Sequence, residues 1–388
     1  MKYRYPLLLC CAAALAGLTG CSNPYQTADA DKDVRFVPHS ITAAAADSKH
    51  AYSLQEIQAL RDYLTTKQTT LDGDNDLNSD GILNAEDLTL MKQAVLPDEA
   101  DGVPIVYMTK EITPEGLLNA YHALNWQPEG KVAVKLSTGE PPASNYLRPE
   151  LIEDVVKEVN GTIVECNTAY GGSRTSTEMH YQVAADHGFT KIADFQILDE
   201  NGSMSLPVEG GTRLKEDFVG AAFSDYDSYL VLSHFKGHAM AGFGGAIKNI
   251  SIGLGSAEGK VWIHSGGTRK SGSIMGKQDP FCEAMAEAGK AVNDALGDKI
   301  TYVNVMNRLS IDCDCDGNPA EPDIHDIGIL SSSDPVALDQ ACIDLIWQAE
   351  GNASMIKRIE SRNGLHTLEH AEEIGLGSRT YRLVMLDE

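Results

Sequence analysis

From residue 103 onward, short apolar runs alternate with longer stretches in which apolar positions recur every three or four residues. The pattern predicts strands at 131–136, 161–166, 191–198, 228–235, 300–306, 326–331 and 381–386. It predicts helices at 114–123, 148–159, 176–187, 281–296, 335–349 and 353–361. Runs such as Tyr229-Leu230-Val231-Leu232 have no polar face, which suits strands covered on both sides. Asp334-Pro335 marks a helix start, an N-cap carboxylate before a first-turn proline. Alternation of this kind predicts an α/β fold over residues 103–388, a mainly parallel sheet with helices on both faces. Ligands of such sheets bind beyond the carboxyl ends of the strands, so the loops there are where chemistry is expected.

The N-terminal pattern differs. Lys2 and Arg4 precede an apolar run, Leu7 to Gly17, that is shorter than the roughly 20 residues a membrane span needs. The run ends Leu18-Thr19-Gly20-Cys21, which reads as a bacterial lipobox. Residues 1–20 are then a signal peptide, Cys21 carries the lipid, and residues 21–50, rich in Ser, Asn, Thr and Ala, form a flexible tether. The expectation is an exported bacterial lipoprotein held at the cell membrane or cell surface.

Residues 51–98 read as a helix-loop-helix module. Ser53-Leu54-Gln55-Glu56 is a capping box, and Leu54, Ile57, Leu60 and Leu64 repeat at helical spacing. Asp76, Asn78 and Asp80 then supply oxygens at positions 1, 3 and 5 of a twelve-residue loop closed by Asp87. Gly81 stands at position 6, Ile82 offers its backbone carbonyl, and Leu83 is the apolar eighth residue. Loops begun at Asp72 or Asp74 lack the glycine, so one register fits Ca²⁺. The stretch Asp76 to Leu96 also resembles a dockerin type I repeat, a family that implies a cohesin-type protein partner. Dockerins normally carry two repeats, whereas one full loop is present here.

Charge narrows the ligands. Thirty-one Lys and Arg against fifty-six Asp and Glu give −25, which repels phosphate backbones and argues against a nucleic-acid partner. Of eight cysteines, Cys10 and Cys11 fall in the signal and Cys21 is lipidated. Five remain, too sparse and too odd in number for a disulfide scaffold. Cys342 and Cys166 read as small buried hydrophobes, whereas Cys313 and Cys315 have a spacing that invites chemistry.

The loop after strand 228–235 is the densest in functional residue types. It contains His234, Lys236, His238, Lys248, Asn249 and His264 among seven glycines between 237 and 259. It matches neither a Walker A loop nor a Rossmann fingerprint. His234 and His238 would share one helical face, although the glycines argue against a helix. Asp312-Cys313-Asp314-Cys315-Asp316 admits two metal readings. Cys313 and Cys315 bind iron or zinc with His234, His238 or His264, or else Asp312, Asp314, Asp316 and Asp323 wind a second calcium-type loop. An acidic turn without metal is the third reading. Asn167 to Thr177, with Arg174, reads either as an anion holder or as a capped loop, with Thr175 or Ser176 as the cap. His187 before Gly188 reads as a histidine favoured by a helix dipole.

Taken together, Ser233 to His238, Gly245 to Asn249, the Asp-Cys-Asp-Cys loop and Asp326 to Asp339 resemble domain-of-unknown-function family 362 over roughly residues 103–386. Members are often labelled uncharacterised iron–sulfur-centre proteins because many carry a Cys-x-x-Cys insert. Between Gly259 and Phe281 this chain has no cysteine, so a ferredoxin-type cluster is not implied. The resemblance implies a shared site around Lys236, His238, Lys248, Asn249 and Cys313–Cys315. Two expectations follow. One is a metal-binding α/β domain, redox or hydrolytic, with Asp312, Cys313, Asp314 and Cys315 as ligands, His234, His238 or His264 assisting, and Lys236 and Lys248 binding an anionic ligand or polarising a carbonyl. The other is a non-enzymatic surface protein that joins polysaccharide-degrading complexes through residues 51–98.

Overall fold

In this computed structural model the described residues are 102–387 with isolated positions between 59 and 87. The expected signal peptide, Cys21 and the tether lie outside them, as do Asn78, Asp80 and Ile82 of the calcium loop. Residues 59, 60, 63 and 64 are helical.

The domain opens with β1 (Ile105–Thr109) and α1 (Pro114–Ala123), whose Thr113 cap accepts from the Gly116 amide. There follow β2 (Val132–Lys135), α2 (Pro149–Glu158), β3 (Thr162–Glu165), α3 (Thr177–Asp186), β4 (Phe195–Ile197) and a hairpin of β5 (Ser203–Pro207) and β6 (Glu216–Gly220). β7 (Ser228–His234) runs into a second hairpin, β8 (Lys236–His238) and β9 (Gly242–Gly244). Three helices come next, α4 (Ala246–Ser251), α5 (Ala257–His264) and α6 (Gln278–Leu296). β10 (Ile300–Met306), β11 (Gly328–Ser332), α7 (Pro335–Gln348), α8 (Ala353–Ser361), α9 (Leu365–Glu373) and β12 (Arg382–Met385) complete it.

Eight strands form one sheet in the order β12-β1-β11-β10-β7-β2-β3-β4. Its pairs are parallel except around β11, which runs antiparallel to both β1 and β10. The expected α/β architecture is therefore present. The two-residue period of a strand divides the core. From β7, Tyr229 and Val231 enter one apolar cluster with α4, α6, α7 and α9, while Leu230 and Leu232 enter a second with α1 and α2. No helix among the described residues is long and apolar enough to cross a membrane.

Most strand and helix bounds fall within a few residues of those read from the pattern, and Asp334 caps α7 by accepting from Val336 and Ala337. β1, both hairpins, α4, α5 and α9 were not expected. For α4 the reason is a borrowed cap. Gly245 precedes it and has no side chain, but Asp339 from α7 accepts from the Ala246 and Ile247 amides at 2.7 and 3.0 Å.

Winding from β2 proceeds through β3 to β4, and from β7 in the opposite direction through β10 to β11. The carboxyl ends of β2 and β7 thus flank the point where the winding reverses, the place where open α/β sheets bind ligands.

Candidate functional site

Three strands deliver charged residues to that reversal. Lys135 closes β2, Glu165 closes β3 and His234 closes β7, all buried. Burial of a charge is tolerated when partners replace water. Lys135 Nζ donates to the Leu136 carbonyl at 2.6 Å and to Asn249 Oδ1 at 3.0 Å, and pairs with Glu165 at 3.3 Å. Glu165 also accepts from the Thr138 amide at 2.8 Å and from Arg174 at 3.4 Å. Burial alone would raise its pKa, but Lys135, His180 and Arg174 hold it well below the usual carboxylate range. Asn249 ties the strand ends together, its amide reaching Leu232 O at 3.1 Å and Ser233 Oγ at 3.0 Å.

Arg174, expected to hold an anion, is spent within the protein. Its guanidinium donates to Glu140 at 3.1 Å, Ser137 at 3.2 Å and Tyr170 at 3.1 Å. It anchors the loop after β3 to the loop after β2. Ser176 caps α3 by accepting from the Met179 amide, as the capped-loop reading has it.

Asp314 is the hub beneath the second loop. One oxygen accepts from His234 Nδ1 at 2.7 Å and the other lies 3.0 Å from Lys236 Nζ. Burial would raise its pKa, yet Lys236 and His234 hold it far below the usual range. His234 Nε2 meets the Asn307 carbonyl at 2.6 Å, so both ring nitrogens face acceptors and neither is left for a metal. This corrects the assignment of His234 as a ligand. It also corrects the shared helical face, because His234 ends β7 and His238 ends β8.

β8 and β9 pair with Lys236 opposite Gly244. Gly244 leaves that cross-strand position empty, and the stem of Lys248, from α4, lies over it. A Cβ there would meet Lys248 Cδ at 3.1 Å and Lys236 Cε at 3.6 Å. Two lysines therefore run side by side. Lys236 has Asp314; Lys248 has no hydrogen bond or ion pair to any described residue. Burial first, and Lys236 second, push the Lys248 amine down to about 7.

His238 Nδ1 accepts from the Met240 and Ala241 amides at 3.2 and 2.9 Å, which places the proton of the neutral ring on Nε2. Burial, then Lys248, His264 and Lys236, hold it well below an ordinary histidine. His264 Nδ1 donates to the Lys260 carbonyl at 2.6 Å and its ring stacks on Phe281 at 4.8 Å, with burial pushing it down to about 4. Both histidines are neutral donors at pH 7. They line a single crevice with Lys135, Arg174, Lys236, Lys248 and Lys260, about 800 Å³ including its open mouth.

Cys313 and Cys315 stand on the wall of this crevice and are joined as a disulfide. With His238 they form a group whose potential ligand atoms lie within 4.8 Å of one another. A His/Cys/Cys metal group is thus present in outline. The sulfurs are bonded to each other and the His238 lone pair faces two amides, so a metal fits after the disulfide is reduced and the ring has exchanged tautomers.

The carboxylates do not gather there. Asp312 pairs with Arg358 at 3.2 Å, Asp316 accepts from the Asn318 amide and Asp323 from Ser354, while Asp314 serves His234 and Lys236. Asp312 and Asp314 are thus corrected from ligands to internal ion-pair partners, and the second calcium-type loop is not wound. His187 is corrected too. Its Nδ1 donates to the Thr138 carbonyl at 2.7 Å, it stacks on Tyr146, and burial lowers its pKa, so a neutral ring takes the place of a dipole-stabilised cation. The sequence reading missed Lys135 and Glu165. Lys135 in Val-Ala-Val-Lys and Glu165 in Thr-Ile-Val-Glu carried a usable signal, a charge closing an otherwise apolar strand.

Comparison with known proteins places this geometry. No curated protein matches the chain. The lactate racemase apoprotein from Thermoanaerobacterium thermosaccharolyticum is 16% identical with a TM-score of 0.34, over 54% of this chain and 52% of that one. A protein of known structure from Thermotoga maritima is 12% identical with a TM-score of 0.34, over 67% of this chain and 58% of that one. The chain thus spans little more than half the length of either. The family model described as domain of unknown function DUF362 matches residues 132–344, from the first residue of β2 into α7. That stretch is more than half of the chain and contains every residue lining the crevice. The chain belongs to the DUF362 family.

Proposed function

We propose that this domain is an enzyme that binds a small anionic molecule in the crevice between the ends of β2 and β7. One observation carries the reading: the cations of the crevice outnumber the acids available to them, and Lys248 has no ion-pair partner among the described residues. Glu165, Glu140 and Asp314 are committed to Lys135, Arg174, Lys236 and His234. An anion entering the crevice would meet the Lys248 amine and the His238 Nε2–H, donors already oriented and shielded from water. The test is thermal unfolding of the purified protein with oxalate, inorganic phosphate and uncharged analogues. A rise in Tm with an anion, absent in Lys248→Met, supports the reading; equal responses to charged and uncharged compounds overturn it.

The His238–Cys313–Cys315 group favours a second reading, in which the dithiol form holds iron or zinc. Such an ion would supply Lewis-acid or redox chemistry at the crevice wall.

For the N-terminal segment we keep the reading of a lipid on Cys21 and a calcium-stabilised spacer through Asp76, Asn78, Asp80, Ile82 and Asp87. The lipobox and the twelve-residue loop support it. Mass spectrometry of the mature N-terminal peptide tests the anchor. Calcium titration of wild type against Asp76→Ala tests the loop, and a chelator-sensitive pull-down with cohesins tests the assembly role.

A further inference from the structure

The geometry points to Lys248 as a nucleophile that forms an imine with an anionic aldehyde or ketone. The inference rests on the anion reading above and names the substrate class.

A lysine makes a carbon–nitrogen bond when its amine is unprotonated and aimed at an accessible space. Lys248 meets both conditions by construction. It sits in α4, which Asp339 holds at its first turn, so its backbone is fixed. Its stem is laid over Gly244, and its amine lines the crevice with no carboxylate of the described residues in ion-pair contact. Asp314, already paired with Lys236, favours the protonated amine less than burial and Lys236 oppose it. Lys236 runs alongside, paired with Asp314, and a neighbouring cation makes a second charge on Lys248 unfavourable. An amine at about 7 is roughly half unprotonated at pH 7, whereas an ordinary lysine is so to a few parts in ten thousand. The difference is about a thousandfold in reactive form.

The step balances without electron transfer. Lys248 Nζ attacks the carbonyl carbon, a C–N bond forms and the C–O bond breaks. The two amine hydrogens leave with the carbonyl oxygen as water. His238 lines the same crevice and carries its proton on Nε2, since its other nitrogen accepts from two amides, so it would be the donor to that oxygen. The substrate's carboxylate or phosphate would answer the excess of cations in the crevice.

The test uses glyoxylate as the carbonyl probe and cyanoborohydride as the trap, at pH 7 and near-stoichiometric glyoxylate, with peptide mapping of every lysine. Label concentrated at Lys248, at least tenfold over any other lysine and suppressed by excess oxalate, supports the proposal. Label spread evenly over surface lysines, or absent from Lys248, overturns it. Oxalate binding, followed by the Tm shift on wild type and Lys248→Met, separates the two claims. If oxalate binds and Lys248 is not labelled, the imine falls and the anion reading stands; if neither occurs, both fall. A Lys248→Arg variant keeps the charge and the fold, and should lose the label.

Discussion

Lys236 Nζ stands 3.0 Å from Asp314 Oδ2, and the other oxygen of the same carboxylate accepts a hydrogen bond from His234 Nδ1. One buried acid thus holds a histidine from β7 and a lysine from β8 against the cysteine loop.

Asp314→Asn leaves Lys236 without its ion-pair partner in the interior and takes the charged acceptor away from His234. Breaking a buried pair in this way costs about 3–5 kcal/mol. Lys236→Met leaves Asp314 its bond to His234, so the expected loss is smaller. Urea denaturation of the two variants should rank them in that order, and the reverse order would remove Asp314 from its position as hub.

The metal reading makes a redox-dependent forecast. Protein purified without reductant should carry little iron or zinc; after treatment with a phosphine reductant and incubation with the ion it should carry close to one per chain. Cys313→Ser with Cys315→Ser should abolish that uptake with an unchanged circular dichroism spectrum. Uptake that survives the double substitution moves the metal elsewhere.

The α6–α9 contact sets a pH window. Glu287 accepts from the amides of Thr212, Arg213 and Leu214 and from His370. Burial would raise its pKa, but these donors hold it at about 2. Its contribution, on the order of 2 kcal/mol, is present above the ordinary value near 4.5 and lost as pH falls toward 2. On the same helix pair, hydrogen bonds to Glu369 and Glu283 lift His366 to about 9. That part is complete below 6.5 and lost as pH rises through 9. A Tm profile should show both limbs, and Glu287→Gln should flatten the acid one.

Asp217 works in the opposite sense. It is fully buried in β6, no side chain of the described residues bonds to either carboxylate oxygen, and burial lifts it to about 7 against the Phe218 amide and the Lys260 charge. A carboxyl raised in the folded state favours folding below 3.8 and ceases to as pH climbs through 7. Asp217→Asn should therefore gain about 1–3 kcal/mol over wild type at pH 8 and little at pH 4. No gain at pH 8 would mean that water or a cation reaches this carboxylate.

What the sequence disclosed follows from where each element keeps its signals. α1 was legible to the residue because Thr113 and Pro114 cap it locally. α4 was not, since Asp339 caps it from ninety-three residues away. Lys236, His238, Lys248 and the cysteine loop were legible as a cluster of chemical types, and they do meet at one crevice. Their division of labour was not legible. Spacing cannot say that His234 is consumed between Asp314 and Asn307 while the Lys248 amine has no partner among the described residues.

The place of β1 in the sheet bears on assembly in time. Its neighbours are β11 and β12, the last two strands of the domain. A chain emerging from the ribosome amino end first therefore exposes β1 with both edges bare until residue 328 and beyond has appeared. The sheet can grow early from β2, β3 and β7, but it closes late, and over the longest sequence separations it contains. A chain stopped short of Arg382 would leave one edge of β1 open to pairing with another molecule.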